Sequence, residues 1–554
     1  MKKEFEARML ATLIAATLCL GLLSGCGKND APASPQTASV PEEPQTQATD
    51  QGAAETIDAT PAEEPAKAYK QTLQIALSAE PNTLDPHMGS AAATREITRG
   101  VFEGLFEIDA NSQPRLELAQ SYEANSDFTE YTFKLRQGVL FHNGQEMKAA
   151  DAAASVNRWL DLAGMPDKSI AKGDHFEVVD DYTIKISLSK PCVLLPFILA
   201  NHSQYAAILP ESVILASGNG PITDLVGTGP LKFVEWAQTQ YIHLSKFDSY
   251  VPYADEFSGF WGKKEVVFQD MYINIVYDPT IRTLGLETGE YDMSYDILYD
   301  DLERIRSNPD LKYQIESAAT LNLIMNKKGG LFTNELYRQA LARGVDREAV
   351  MRAAVPNEEF YHPSSSFFVD WQTDWFSEVP DTVSYDLEAA KALLAEAGYN
   401  GEVCRIISTQ VLPSYYNAAL VLQQQLEAIG FTTSLDVSDW ATMLGKTDDP
   451  TSYDCYPMGY PIAASPASIM YLTSGVTSGF TDDPGLNAMF ETLNAQPSIE
   501  AASKYWREEM AGYSFEKALA INLGDSPIVY AFSGKTESYS CYVGIDPASL
   551  RILE

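Results

Sequence analysis

Apolar and polar positions alternate with period two along several short stretches, the pattern of half-buried strands. Leu73-Gln-Ile-Ala-Leu77 is the first. In 131–136, Tyr131, Phe133 and Leu135 fall on one face and Thr132, Lys134 and Arg136 on the other. Tyr182, Ile184, Ile186 and Leu188 repeat the alternation after an Asp180-Asp181 turn, and Met271, Ile273, Ile275 and Tyr277 repeat it again. Elsewhere the period lengthens to that of a helix. Asp386 is placed to cap Leu387–Ala397, where Leu387, Ala390, Leu393, Leu394 and Ala397 form one apolar stripe before Gly398. Ala418–Ile429 is a second helix, closed by Gly430 and followed at once by a strand over 431–437. Helix, glycine and strand in succession predict βαβ packing and a mixed α/β fold. No internal repeat of domain-building length is present.

The N-terminus follows a different pattern. Lys2, Lys3 and Arg8 precede a run from Met9 to Leu23 that carries no charge. About 20 apolar residues are needed to span a bilayer, so the run is too short to span but fits a signal-peptide core. Leu23-Ser24-Gly25-Cys26 behind it resembles the bacterial lipobox, which implies diacylation of Cys26 as the first mature residue. Residues 27–67 hold six Pro, eight Asp or Glu and no aromatic or Leu, a composition that cannot bury a core. We expect 1–25 to be a lipoprotein signal peptide and 26–67 a lipidated, disordered acidic tether.

Composition narrows the rest. The chain has 554 residues, 45% of them apolar, enough for a large multi-lobed body. Its formal charge of −37 repels phosphate, which argues against a nucleic-acid partner. Cys192, Cys404, Cys455 and Cys541 stand singly in the body; spacing leaves open whether they pair or remain buried thiols. The six His (His87, His142, His175, His202, His243, His362) lack metal-ligand spacing, and neither H-E-x-x-H nor G-x-S-x-G occurs. Gly534-Lys535-Thr536 imitates the end of a P-loop, but Val529 stands where its first Gly belongs. We therefore expect no catalytic residues, no metal site and no cofactor.

Five blocks carry a resemblance. They are Thr83-Leu-Asp-Pro-His87 with Gly100-Val-Phe-Glu-Gly-Leu-Phe106; Glu130–Arg136 with Gly138-Val-Leu-Phe-His-Asn-Gly144, Asp151 and Asn157-Arg158-Trp159; Gly227-Thr-Gly-Pro230 with Phe233–Trp236; Arg282-Thr-Leu284 with Glu287–Asp292; and Tyr385-Asp386 with Ala390-Lys391 and Leu393–Tyr399. In this order they resemble the family 5 extracellular solute-binding proteins, the oligopeptide, dipeptide and nickel receptors of ABC importers. Lys148 departs from the family's usual Thr as helix cap, and Leu140 from a polar residue.

The resemblance implies a periplasmic-binding-protein-like clamp of two α/β lobes. The first lobe, with an extra subdomain, would span 68–325, the second 326–524, and 525–554 would return to the first. Ligand would lie between them, in a protein that is monomeric, sits lipid-anchored on the outer face of a bacterial cytoplasmic membrane, and serves permease and ATPase subunits. The implied cleft residues are Met88, Gly89, Ser90 and Ala91 from the first lobe and Tyr460, Pro461, Ile462 and Ala463 from the second. In peptide-binding members an Asp three positions after the aromatic residue holds the peptide's α-ammonium. Ala463 stands there, and no carboxylate occurs from Cys455 to Gly479. A peptide is the expected solute; the alternatives are a sugar, an opine, a metal chelate, or a signalling lipoprotein that kept the clamp.

Overall fold

The computed structural model describes residues 67–89, 91–163, 169–253, 256–380 and 383–554. The signal peptide, Cys26 and all of the tether but Lys67 lie outside the described residues, as does Ser90.

A single ten-stranded sheet organises the body. At one end Leu231–Ala237, Tyr241–Lys246, Asp270–Ile275, Thr72–Leu77 and Met293–Ser294 lie side by side in that order; at the other lie Cys455–Pro461, Val403–Ser408 and Thr432–Val437. Two long antiparallel strands, Leu311–Met325 and Ile521–Ser533, join the halves. Their register runs from Leu311 opposite Ser533 to Leu323 opposite Ile521, and it shifts between Ser317 and Ala319. Pro527, which has no N–H to donate, sits opposite Ser317 at that shift. A bulge of this kind bends and twists a strand pair locally.

The alternating segments became strands in the predicted phase. Tyr131, Phe133 and Leu135 are buried in Glu130–Leu135, the second strand of a four-stranded antiparallel sheet that carries the helix Ala149–Leu162. Ile184 and Ile186 are buried opposite them in Thr183–Ser187. Tyr277 departs from its expected face. The strand Asp270–Ile275 ends before it, because Asp278 caps the helix Pro279–Thr288 by accepting from Thr280 and Ile281 N–H, and Tyr277 is left 59% exposed. Lys148 does serve as helix cap, held by its own N–H donating to Asp151 Oδ2 at 2.8 Å.

Leu387–Glu396 is capped by Asp386, whose side chain accepts from Ala389 N–H, and Gly398 follows at φ 72°. The next helix runs Pro413–Ile429, five residues earlier than the apolar period suggests, because Pro413 occupies its first turn. It connects Val403–Ser408 to Thr432–Val437 as a parallel βαβ unit. All four body cysteines are free thiols; Cys404 and Cys455 face each other with sulfurs 4.0 Å apart.

Candidate functional site

Met88 and Gly89 hang from a buried polar triad. Arg158, on the helix Ala149–Leu162, donates to Asp85 through Nη2 at 2.6 Å and Nη1 at 3.2 Å, and Nη1 also reaches His87 Nδ1 at 2.9 Å. The opposite ring nitrogen, His87 Nε2, lies 2.8 Å from the Ala207 carbonyl. Arg158 has no acceptor atom, so Nδ1 accepts and Nε2 carries the proton. Burial holds this imidazole down to about 4, consistent with the neutral tautomer. Burial alone would raise Asp85, but hydrogen bonds from Arg158 and from Ile222 N–H outweigh it and keep the carboxyl below its usual range. The Met88 and Gly89 N–H groups then close a turn on the Asp85 carbonyl. Met88 is 43% exposed and Ala91 exposed, whereas Gly89 is buried, with no room for a side chain beside Thr94.

The other resemblance motifs build scaffold rather than cleft. A Cβ on Gly227 would fall 2.0 Å from the Val101 carbonyl and one on Gly229 2.5 Å from that of Gly100, so the two glycine motifs pack backbone to backbone. Thr228 Oγ1 and Tyr250 OH donate to the buried Glu103, and the His142 ring bonds the Gly229 carbonyl.

The second segment continues the strand Cys455–Pro461, in which Thr320 pairs with Tyr460 and Leu321 with Gly459. Gly459 leaves room for the Tyr415 hydroxyl, which a Cβ would meet at 2.5 Å. The Tyr460 ring is buried against Tyr471, centroids 5.0 Å apart. Pro461 and Ala463 are half-buried and Ile462 is buried. The Ala463 carbonyl accepts from Gln372 Nε2 at 2.8 Å, and the same amide donates to Ser112 Oγ at 3.2 Å. Ser112 Oγ bonds Tyr542 OH in turn. Gln113 Nε2 to Asp374 Oδ2 at 2.9 Å runs parallel to this bridge, and Trp375 stacks edge-on with Phe197. Residues 112–113 are thus joined directly to 372 and 374, and the Gln372 bridge also reaches Ala463.

Beside these lies a cluster the sequence did not single out. Arg95 and Arg99 are four residues apart along the helix Ala92–Thr98 and its C-cap, immediately after Ala91. The Arg99 guanidinium lies 3.2 Å over the Phe260 ring. His202 stands among Phe260, Tyr542, Arg95 and Arg99, against the Ile462 main chain. Burial and the two guanidiniums push it well below its ordinary value. Glu96, on the same helix, accepts from Tyr295 OH at 3.2 Å, and burial raises its carboxyl to about 7. Two basic residues at helical spacing directly behind the first segment were the available signal; His202, Gln372 and Tyr542 gave none. Among the described residues, no group of three His, Cys, Asp or Glu side chains could hold a metal ion.

Residues 113–482 match the bacterial extracellular solute-binding proteins, family 5. The chain is 30% identical over 416 residues, 73% of its length and 77% of the relative's, to a probable peptide ABC transporter periplasmic-binding protein, y4tO, of Sinorhizobium fredii. It is 29% identical over 391 residues, 68% of this chain and 71% of the relative, to the glutathione-binding protein GsiB of Salmonella paratyphi A. The structure of AgaA of A. tumefaciens R10 in complex with agropinic acid superposes with a TM-score of 0.75 at 26% identity, over 87% of this chain and 99% of that one. The oligopeptide-binding protein AppA of Bacillus subtilis shares the fold, with a TM-score of 0.72 at 19% identity over 88% of this chain and 100% of that one. The sheet that runs across two shared strands is therefore the two-lobed α/β clamp of periplasmic binding proteins. The chain belongs to the family 5 extracellular solute-binding proteins and is the substrate-binding protein of an ABC importer.

Proposed function

We propose that this chain captures a peptide outside the cell, encloses it between lobes spanning 68–325 with 525–554 and 326–524, and presents it to the permease. This reading is supported by the match to the family and by the Gln372 and Gln113 bridges, which tie residues 112–113 of one proposed lobe to 372–374 and Ala463 of the other. The lipid on Cys26 and the acidic segment behind it hold a monomeric body near the outer face of the membrane. The role involves no chemistry on the solute. Ligand is expected to raise the melting temperature and lower the radius of gyration of the full chain. A bound solute that leaves the radius of gyration unchanged would refute capture by closure. Cys26→Ser should abolish lipid processing, and membrane association that survives it would overturn the anchor.

An opine or metal chelate is the second reading, favoured by Ala463, which presents a methyl group where a carboxylate would grip an ammonium. Ala463→Asp separates the two. It should improve binding of a free-amine tripeptide by about 1.5–3 kcal/mol if a charge-assisted hydrogen bond forms, and leave the N-acetylated form unimproved. Equal effects on both forms would show that no ammonium is held at this position.

A further inference from the structure

Cys404 and Cys455 are 0% and 1% exposed, and their sulfurs lie 4.0 Å apart. Two features of the sheet bring them together. Val403–Ser408 and Cys455–Pro461 are parallel neighbours in which Ile406 pairs with Cys455, and Cys404, two residues before Ile406, projects from the same face. The residues next to the two thiols, Arg405 and Asp454, clasp each other. Arg405 N–H and Nε–H both donate to Asp454 Oδ2 at 2.8 Å, and Asp454 N–H donates to the Arg405 carbonyl at 2.9 Å. The clasp holds the two main chains side by side, and both thiols enter one apolar core with Leu323, Ile406 and Leu422. The other two body cysteines are placed differently: Cys192 Sγ donates to Asn494 Oδ1 at 3.7 Å, and Cys541 stands beside Glu316.

Two thiols in contact can hold a metal, act as a nucleophile, or bond to each other. A soft metal asks for further ligands, and among the described residues no third His, Cys, Asp or Glu joins the pair. A nucleophile must be a thiolate within reach of solvent, whereas the hydrogen bond with Cys455 and burial hold Cys404 protonated. The bond remains. This chain belongs to an extracellular family, and outside the cytoplasm disulfides form and persist. The pair is diagonal across the strands, so the sulfurs must close by about 2 Å to reach bonding distance. The two strands share a single ladder pair, at Ile406 and Cys455, so no long run of hydrogen bonds opposes that adjustment.

We propose that Cys404 and Cys455 form a disulfide in the exported protein, which fastens the strand that carries Tyr460 to the βαβ unit of residues 403–437. The two positions are 51 residues apart, and the loop between them holds the helices Pro413–Ile429 and Trp440–Thr447. A crosslink over such a loop stabilises the fold mainly by restricting the unfolded chain. The bond forms by exchange. The thiolate of one cysteine attacks the disulfide of an extracytoplasmic thiol–disulfide oxidoreductase, and the other cysteine then displaces that protein from the mixed disulfide. The chain loses two hydrogens, and the oxidoreductase takes up two electrons and two protons and leaves as a dithiol. Both sulfurs are sealed in the finished core, so the exchange takes place during folding.

Peptide mapping of the exported protein tests the bond. Free thiols are blocked with N-ethylmaleimide in denaturant without reductant, and trypsin, cutting after Lys391, Arg405, Lys446 and Lys504, places the two cysteines in separate peptides. The expected product is 392–405 joined to 447–504, lighter by two hydrogens than the separate thiol peptides, with Cys192 and Cys541 blocked. Blocked Cys404 and Cys455 in most of the protein, or a link from either to Cys192 or Cys541, overturns the proposal. Urea unfolding with and without dithiothreitol is the second measurement. Reductant should lower the wild-type midpoint and leave that of the double variant Cys404→Ala, Cys455→Ala unchanged. A wild-type midpoint that reductant does not move, or an equal fall in both proteins, also overturns it. The peptide map needs no variant, so it decides the matter if the double variant does not fold.

Discussion

Two buried polar clusters stand in this body, each an arginine beside a histidine, and they differ in how the ring is bonded. In the Asp85–His87–Arg158 triad the His87 ring is bonded on both sides, and each Asp85 oxygen meets a guanidinium nitrogen. In the Arg99–His202 cluster the ring meets only the Ile462 main chain and makes no side-chain bond, while Arg99 Nε, like Arg158 Nε in the triad, has no partner. A satisfied network rigidifies the elements it ties together, and an unpaired buried group costs stability. The first cluster therefore explains how Met88 and Gly89 are held, by the turn that closes on the Asp85 carbonyl.

The sharpest way to break the comparison is to remove a charge from the satisfied cluster. Arg158→Met should destabilise the protein by about 3–5 kcal/mol, since it leaves Asp85 buried without its counter-charge. Denaturant unfolding checks this, and a loss below about 1 kcal/mol would mean the triad is not a structural anchor. The histidines should then respond in opposite directions. His87→Phe strips Ala207 and Arg158 of their partners and should cost about 1–3 kcal/mol. His202→Phe keeps its contacts with Phe260 and Tyr542 and loses no side-chain bond, so the ligand-free protein should be unchanged or more stable. A loss from His202→Phe as large as that from His87→Phe would erase the distinction.

The same contrast marks what the sequence could show. Asp85, His87 and Arg158 all lie in short motifs, and the alternating and amphipathic segments folded where their periods placed them, because one buried face dictates the phase of each. His202, Gln372 and Tyr542 come from segments remote in the chain, brought together only when the long strands join the two halves. Their local sequence has no period to read. Pro413 was a legible helix start that the apolar stripe alone concealed. Lys148 caps its helix without a capping side chain because Asp151 supplies the hydrogen bond instead.

Protonation separates the clusters further. Burial lowers His87 from 6.5 to about 4, so the unfolded chain takes up its proton first; the stability it contributes is complete above about 6.5 and is lost as the pH falls toward 4. Glu96 is raised from 4.5 to about 7, so its contribution is complete below about 4.5 and is lost as the pH rises through 7. Between those limits the two groups slope oppositely, each by at most about 1.4 kcal/mol per pH unit. Unfolding free energies measured stepwise from pH 4.5 to 7 should rise more steeply with pH in Glu96→Gln than in wild type, and less steeply in His87→Asn. Changes of the same sign in both variants would contradict the assignment.

The smallest expected effect concerns how the wall opposite His202 is held. Gln372 Nε2 bonds both Ala463 O and Ser112 Oγ, so a single amide ties the second candidate segment to Ser112. It is neutral, as are both acceptors, and a bond of that kind contributes about 0.5–1.5 kcal/mol. Gln372→Ala should therefore weaken ligand binding by roughly 2- to 10-fold through faster release, if the bridge joins the two proposed lobes on closure. Gln113→Ala removes the parallel bond to Asp374, which lies in water and should matter less. The two bridges share no atom, so the double variant should show the sum of the single losses. A double variant no worse than Gln372→Ala would mean that the outer bridge forms only in the wake of the inner one, and that closure is governed at Ala463, directly beside the main chain that His202 faces.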